Sequence, residues 1–284
     1  MTGAGSSSAP TLAALLAEAR ATAVDRLDGQ LLLLHALGKA AGDRAWLLAN
    51  DEQIVGDEVA IRFRALCDRR RSGEPLAYLV GSKEFHGLAL QVDARVLVPR
   101  PDTETLVEWA LECLAPIAEP AVLDLGTGSG AIALAIAKSR PDARVTAVDA
   151  SEDALAVARA NADRLGLQLD LREGDWFAGL PRHFTLVASN PPYIAPGDPH
   201  LPALRHEPLT ALVAGDDGLR DLRRIVQDAP DHLVEGGWLL LEHGFDQAAA
   251  VRSLLEKRGF DEVQSRRDLA GIERASGGIW RTVK

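Results

Sequence analysis

The chain has 284 residues, 47% hydrophobic and 25% charged, with a formal net charge of −10. That balance is ordinary for a soluble globular protein of one large domain plus a small one, and no apolar run reaches the ~18–20 residues a bilayer span needs. The acidic total also argues against a nucleic-acid binder, whose footprint is basic; the short runs Arg69-Arg70-Arg71 and Arg223-Arg224 read as solvated helix faces.

Residues 1–10 are rich in Gly and Ser, with neither a basic flank nor an apolar core, so they read as a disordered lead-in rather than a secretory signal. Cys67 and Cys113 have no metal-like spacing and sit in helical patterns, where a small buried thiol is the favoured reading and a reducing cytoplasm fits. Residues 11–73 have helical period throughout. Leu12, Leu15 and Leu16 open one helix, Leu31 to Leu34 and Leu37 a second, and Trp46 to Leu48 a short third. Val59, Phe63, Leu66 and Cys67 mark a fourth, which Gly73 stops. At residues 74–100 the texture changes. Tyr78-Leu79-Val80 and residues 88–98 read as strands about Gly81 and Gly87, a β-hairpin linker. Pro101 then precedes a helix with Leu106, Val107, Ala110 and Leu114 on one face.

From residue 121 strands and helices alternate. Strands are expected at 121–125, 144–148, 169–172, 184–188 and 238–241, and helices at 130–138, 154–165 and 219–229. Such alternation predicts βαβ units, a largely parallel sheet and helices on both faces, an α/β domain over 101–284. Ligands of such sheets bind at the carboxyl ends of the strands, where Gly126 and Asn190 both fall.

Four groups along this domain carry chemistry. Gly126, Gly128 and Gly130, with Thr127 and Ser129 between them, let the backbone turn tightly and approach a ligand. Their spacing is ambiguous, because Gly126, Gly128 and Ala131 also satisfy a relaxed dinucleotide fingerprint. Asp149, ending the next strand, is placed to accept from two ribose hydroxyls in either kind of site, while Ser151 can cap the following helix. Asp175-Trp176-Phe177 offers an acid and aromatic rings to an adenine, or two core residues under a loop. Asn190-Pro191-Pro192-Tyr193 combines a short amide, two rigidly aimed carbonyls and a flat ring, which suits a planar NH₂ group. His206 and His243 have no close partners in sequence and read as ordinary polar contacts, with no metal expected.

The segments Asp124 to Gly130, Asp149, Asp175 to Phe177 and Asn190 to Tyr193 resemble a class I, Rossmann-like methyltransferase acting on nitrogen. Val96 to Glu104, His206-Glu207-Pro208 and Ala214 to Leu219, with the helical N-terminal domain, are similar to the release-factor glutamine methyltransferases, the PrmC/HemK family. Family members usually carry Glu where this chain has Asp102, and often an aromatic where it has His86. The resemblance implies a mostly parallel seven-stranded sheet and S-adenosyl-L-methionine as methyl donor. It also implies transfer to the glutamine of the Gly-Gly-Gln motif of class I peptide chain release factors. It assigns donor binding to Gly126, Thr127, Gly128, Ser129, Gly130, Asp149, Trp176 and Asn190, and the glutamine to Asn190, Pro191, Pro192 and Tyr193. Asn190 and the Pro191 carbonyl are the catalytic acceptors. A monomer that binds no nucleic acid directly and no membrane is expected, with residues 11–73 as substrate-docking domain. Two other classes stay open: an adenine-N6 or other nucleic-acid amine methyltransferase, and a nicotinamide oxidoreductase.

Overall fold

The computed structural model describes residues 9–181 and 183–282, so most of the lead-in expected at 1–10 lies outside the described residues. The chain divides into two compact units, Met1–Gly81 and Ser82–Lys284.

The first unit is helical: α1 (Leu12–Ala21), α2 (Arg26–Ala36), α3 (Arg44–Ala49), α4 (Asp57–Arg71) and α5 (Leu76–Val80). Side chains start two of these helices, Thr11 Oγ1 accepting from the Ala14 N–H and an Asp25 carboxylate oxygen from that of Leu27. Leu12, Leu15, Leu32, Leu33, Leu47 and Phe63 make its core. Tyr78-Leu79-Val80, expected as a strand, instead finishes α5. A run of three apolar residues has no period of its own, and the signals around it are those of a helix. Pro75 precedes its first turn, Leu79 buries against the helical core, and Gly81 ends it at φ +71°.

The second unit opens with the hairpin β1 (Ser82–Phe85) and β2 (Leu88–Gln91), turned by His86-Gly87. The strand expected over 88–98 stops at Gln91. Asp93 accepts from the Arg95 N–H and its carbonyl accepts from the Val96 N–H, folding the chain into a turn. After α6 (Glu104–Leu114) come β3 (Ala121–Leu125), α7 (Ala131–Ser139), β4 (Arg144–Asp149), α8 (Glu152–Leu165), β5 (Asp170–Glu173) and β6 (Phe184–Ser189). They are followed by α9 (Arg220–Asp228), β7 (Leu233–Glu242), α10 (Ala248–Arg258), β8 (Phe260–Arg267) and β9 (Glu273–Trp280). The seven strands run in the order β5-β4-β3-β6-β7-β9-β8. β5, β4, β3, β6 and β7 are parallel, and β9 pairs antiparallel with both β7 and β8.

Alternate residues of each central strand enter opposite cores. Val122, Leu186 and Leu240 pack with α6 and α7, whereas Leu123, Val187 and Leu239 pack with α9 and α10. Burial on both faces explains why these strands read as continuous apolar runs. The chain winds outward from β3 to β5 and then returns to the other side of β3 at β6. The crevice between the ends of β3 and β6 is therefore the switch point of the sheet.

Candidate active site

Strand register brings the motifs together. Leu125 pairs with Ser189, so Gly126 and Asn190 leave adjacent strands at the same level. Val148 pairs with Leu125, and Asp149 with Glu173, so Asp149 and the segment beginning at Gly174 emerge beside them. All four face one cavity of about 640 Å³, whose walls include Gly126, Gly128, Asp149, Trp176, Asn190 and Pro192. That volume lies within the ~300–1,000 Å³ usual for small-molecule sites.

The glycine turn is tied from behind. The N–H groups of Gly126 and Thr127 donate to the Val148 carbonyl, and that of Gly128 to Asp149 Oδ2 at 2.8 Å. Thr127 donates its hydroxyl to Asp124 Oδ2 at 2.6 Å, an oxygen that also accepts from the Ala133 N–H. Asp124 is fully buried, and desolvation pushes its carboxyl up to about 7. A Cβ on Gly130 would meet Leu134 at 3.0 Å and Ala158 at 3.3 Å, so this glycine lets α7 approach α8. Of the five turn residues expected at the donor, Gly126 and Gly128 line the cavity, while Thr127, Ser129 and Gly130 hold the turn that presents them. A residue the sequence did not flag completes the anchorage. Asn161, buried on α8, donates Nδ2 to the carbonyls of Ser129 and Gln91 and accepts the Gln91 N–H at Oδ1.

Asp149 accepts from the Ser151 N–H at Oδ1 as well as from Gly128 at Oδ2, and Ser151 Oγ accepts from the Ala154 N–H to cap α8. Burial raises the Asp149 pKa, against those two backbone hydrogen bonds. Each carboxylate oxygen keeps a lone pair for a further donor such as a ribose hydroxyl. Trp176 and Phe177 separate. The Trp176 ring lies 3.5 Å from where a Gly126 Cβ would stand and forms part of the cavity wall. Phe177 is core, stacked on His232 at 4.6 Å. Asp175 is exposed, ion-paired to Arg224 at 2.8 Å, and also stands in the cavity wall.

Asn190 lines the cavity and donates Nδ2 to Thr103 Oγ1 at 3.2 Å. Pro191 is buried, Pro192 is a wall residue, and Tyr193 turns its hydroxyl to Glu242 Oε1 at 3.4 Å. The segments singled out elsewhere in the sequence brace this one. Glu207 is buried, accepting from the Val98 N–H at 3.1 Å and from Arg100 at 2.5 Å, which fastens residues 96–104 to residues 206–208. The Ile194 N–H donates to the Leu212 carbonyl, and the Ala214 N–H to that of Ile194. Gln247 Nε2 bonds the Tyr193 carbonyl at 3.0 Å. His243 is buried with Nε2 on Ser276 Oγ at 2.7 Å, and burial lowers its pKa. Desolvation raises the thiols of Cys67 and Cys113 to about 11 and about 12, which keeps both protonated at neutral pH.

The cavity fits S-adenosylmethionine on three counts. It has the volume, a half-buried carboxylate with acceptor capacity at the end of β4, and side-chain-free backbone at Gly126 and Gly128 in its wall. Comparison with known proteins agrees. Residues 11–81 match the PrmC N-terminal domain and residues 103–206 the methyltransferase small domain. A T. thermophilus 16S rRNA N2 G1207 methyltransferase, solved with AdoMet and guanosine, is similar at a TM-score of 0.54. It is 20% identical, over 70% of this chain and 50% of that one, which speaks to the fold alone. The release factor glutamine methyltransferase of Bordetella pertussis is 52% identical over 257 residues, 89% of this chain and 94% of that protein. The Pseudomonas aeruginosa protein of the same name is 53% identical over 260 residues, 90% and 92% of the two chains. Relatives this similar over nearly their whole length, on a fold whose motifs converge on one cavity, show that the chain belongs to the release factor glutamine methyltransferases.

Proposed function

We propose that the chain transfers the methyl group of S-adenosylmethionine to the side-chain amide nitrogen of the glutamine in the Gly-Gly-Gln motif of class I peptide chain release factors. It does so in the cytoplasm, as a monomer. The observation that carries this reading is the orientation of Asn190. Its Nδ2 is held by Thr103, which leaves Oδ1 to accept from an incoming NH₂ group at the wall of the cavity that also holds Gly126 and Asp149.

An amide nitrogen is a weak nucleophile because its lone pair is delocalised into the carbonyl. When bound, the methyl donor supplies an electrophilic sulfonium methyl and departs as a neutral thioether. Asn190 Oδ1 and the Pro191 carbonyl accept the two amide hydrogens and turn the lone pair out of conjugation. As the nitrogen gains positive charge those acceptors bind it more strongly than in the ground state. Orientation of this kind contributes up to ~7–11 kcal/mol of barrier reduction. Asp149 holds the ribose, Trp176 flanks the adenosine, and Gly126 and Gly128 pass close to the methionyl part. The surplus proton leaves to water after transfer, so no general base is required. Residues 11–73 serve as the docking domain.

A protein substrate is favoured over a nucleic acid because the basic runs are already paired. Arg69 meets Glu74, Arg70 Asp28, Arg71 Asp68, Arg223 Asp217 and Arg224 Asp175. A nicotinamide site is disfavoured by the antiparallel β9, inserted between β7 and the edge strand β8, since dinucleotide-binding sheets of this kind are built from parallel βαβ halves. The test is incubation with labelled S-adenosylmethionine and purified class I release factor, followed by mapping of the label by mass spectrometry. A methyl group on the Gly-Gly-Gln glutamine is expected; label on nucleic acid, or none, refutes the reading.

A further inference from the structure

Behind the Asn190 segment lies a buried carboxyl that the reading above does not use. Glu242 ends β7 and is 1% exposed. The Thr103 hydroxyl lies beside it and favours its ionised form, and Oε1 accepts from the Tyr193 hydroxyl at 3.4 Å, while Oε2 makes no hydrogen bond among the described residues. Thr103 is itself 4% exposed and touches Asn190 Nδ2 on its other side. A continuous chain of contacts thus runs from Glu242 through one hydroxyl to the cavity-lining amide.

Hydrogen-bond polarity makes this chain directional. An ionised carboxylate only accepts, and a threonine hydroxyl has a single proton to donate. With that proton directed at Glu242, Thr103 can only accept from Asn190. Asn190 must then offer Nδ2 to Thr103, leaving Oδ1 as the end that meets an incoming amide. Without the carboxylate, the Thr103 proton is free to turn to Oδ1, and the reversed amide would confront the substrate NH₂ with another NH₂. We propose that Glu242 is a positioning residue for methyl transfer, acting through Thr103 to dictate which end of the Asn190 amide faces the cavity. The proposal rests on the glutamine-methylating reading of the site.

The groups facing Glu242 are Thr103 and Asp102 from the turn before α6, Tyr193 from the Asn190 segment and Arg274 from β9. Arg274 is itself ion-paired to Asp102 at 3.3 Å and to Asp268 at 3.2 Å. Desolvation outweighs Arg274 and the hydroxyls and holds the Glu242 carboxyl up at about 7. The polarity of the chain therefore depends on pH near neutrality, and the polarising form is the ionised one.

The experiment uses the full chain and three substitutions, Glu242→Gln, Thr103→Val and Thr103→Ser. The first readout needs no substrate: the side-chain NH₂ resonances of Asn190 in ¹⁵N-labelled protein, assigned by their loss in Asn190→Ala. They should shift and lose hydrogen-exchange protection in Thr103→Val and Glu242→Gln, and stay near the parent in Thr103→Ser. The second is transfer to release factor. Each of Glu242→Gln and Thr103→Val should lower kcat roughly tenfold or more, as loss of a hydrogen bond to a charged group does. Affinity for S-adenosylmethionine should change less than about twofold, and the double variant should be no worse than the poorer single one. Thr103→Ser should restore most of the rate. The ratio of parent to Glu242→Gln kcat should rise between roughly pH 6 and 8 as Glu242 ionises. Asp124, which titrates in the same range, is common to both proteins and cancels. Unmoved Asn190 resonances, additive rate losses or a pH-independent ratio would each overturn the proposal. A parent enzyme that leaves the release factor unmethylated would instead sink the assigned substrate, and the resonances alone would then decide whether Glu242 orients Asn190.

Discussion

Asn190 and Asp149 share a cavity, and the proposed reaction gives them different parts that substitution should separate. Asn190→Ala removes the proposed acceptor of the substrate amide hydrogens. The expected result is a fall in kcat of ~10²–10³ with donor affinity nearly unchanged. Steady-state kinetics beside calorimetric titration of the donor will show it, and near-normal turnover would sink the amide-clamp mechanism. Asp149→Ala leaves ribose hydroxyls unpaired in a half-closed site, so donor binding should weaken by ~1–3 kcal/mol. The same carboxyl predicts a pH effect. Burial raises its pKa in the folded protein, so the accepting form is present above that raised value and disappears as pH falls through it. Titrations should show weaker donor binding on the acid side in the parent, and no such slope in Asp149→Ala.

At the scale of elements, the irregular segment between β6 and α9 matters as much as the strands. Residues 194 and 212–214 exchange backbone hydrogen bonds in a short parallel bridge, and Gly218 closes the loop against the Tyr193 backbone. A Cβ on Gly218 would stand 2.3 Å from the Tyr193 carbonyl oxygen and 2.9 Å from Gln247 Nε2, at a φ of +71°. No side chain fits without moving one of them, and the Tyr193 oxygen belongs to backbone. Gly218→Ala should therefore cost ~1–3 kcal/mol or more of stability by denaturant titration. It should also lower kcat, because the displaced segment carries Asn190. A variant with parent stability and parent rate would mean that the loop does not brace the site.

For the whole molecule, two fully buried carboxyls set a dependence of stability on pH. Asp124 and Glu242 both titrate at about 7 in the folded chain, above the values of 3.8 and 4.5 for the free groups. The folded state thus keeps protons that the unfolded state has already released. Stability should fall as pH rises from about 4 to about 7 on account of these two groups, and level off above. Glu242→Gln should remove up to about 3 kcal/mol of that slope, by the shift it abolishes. Denaturant midpoints measured across this range in parent and variant give the comparison, and parallel curves would contradict it. The helical unit invites a different test. It has its own core and leaves Leu27, Leu48, Ile54 and Ile61 exposed. If it docks the release factor, a chain beginning at Ser82 should bind the methyl donor normally. It should methylate intact release factor with a much higher KM, and lose little more on a short Gly-Gly-Gln peptide. Equal losses on both substrates would point to a scaffold, and unchanged activity on the intact protein would exclude docking.

The sequence by itself determined most of the helical unit, the α/β class, the positions of β3 to β7 along the chain and the motifs of the cavity. Each of these is written locally: a 3.6-residue period with Gly73 as a stop, apolar strand runs buried on both faces, and glycines and prolines whose backbone preferences do not depend on context. Leu125 followed by Gly126, and Ser189 by Asn190, were readable as strand ends. That they are neighbours followed from the strand pairing. Only the tertiary structure decided the rest. Residues 78–80 turned helical because Leu79 had a core to enter, which three residues in sequence do not reveal. The strands β8 and β9 pair antiparallel with partners set by the sheet and not by their own alternation. Trp176 and Phe177 look equivalent in sequence, yet one borders the cavity and the other stacks in the core. Asn161 and Glu242 carry no motif spacing at all, being 70 and 139 residues from Gln91 and Thr103 respectively. A polar side chain acquires a role such as theirs only when burial removes water and leaves it one set of partners, and burial is a property of the folded chain.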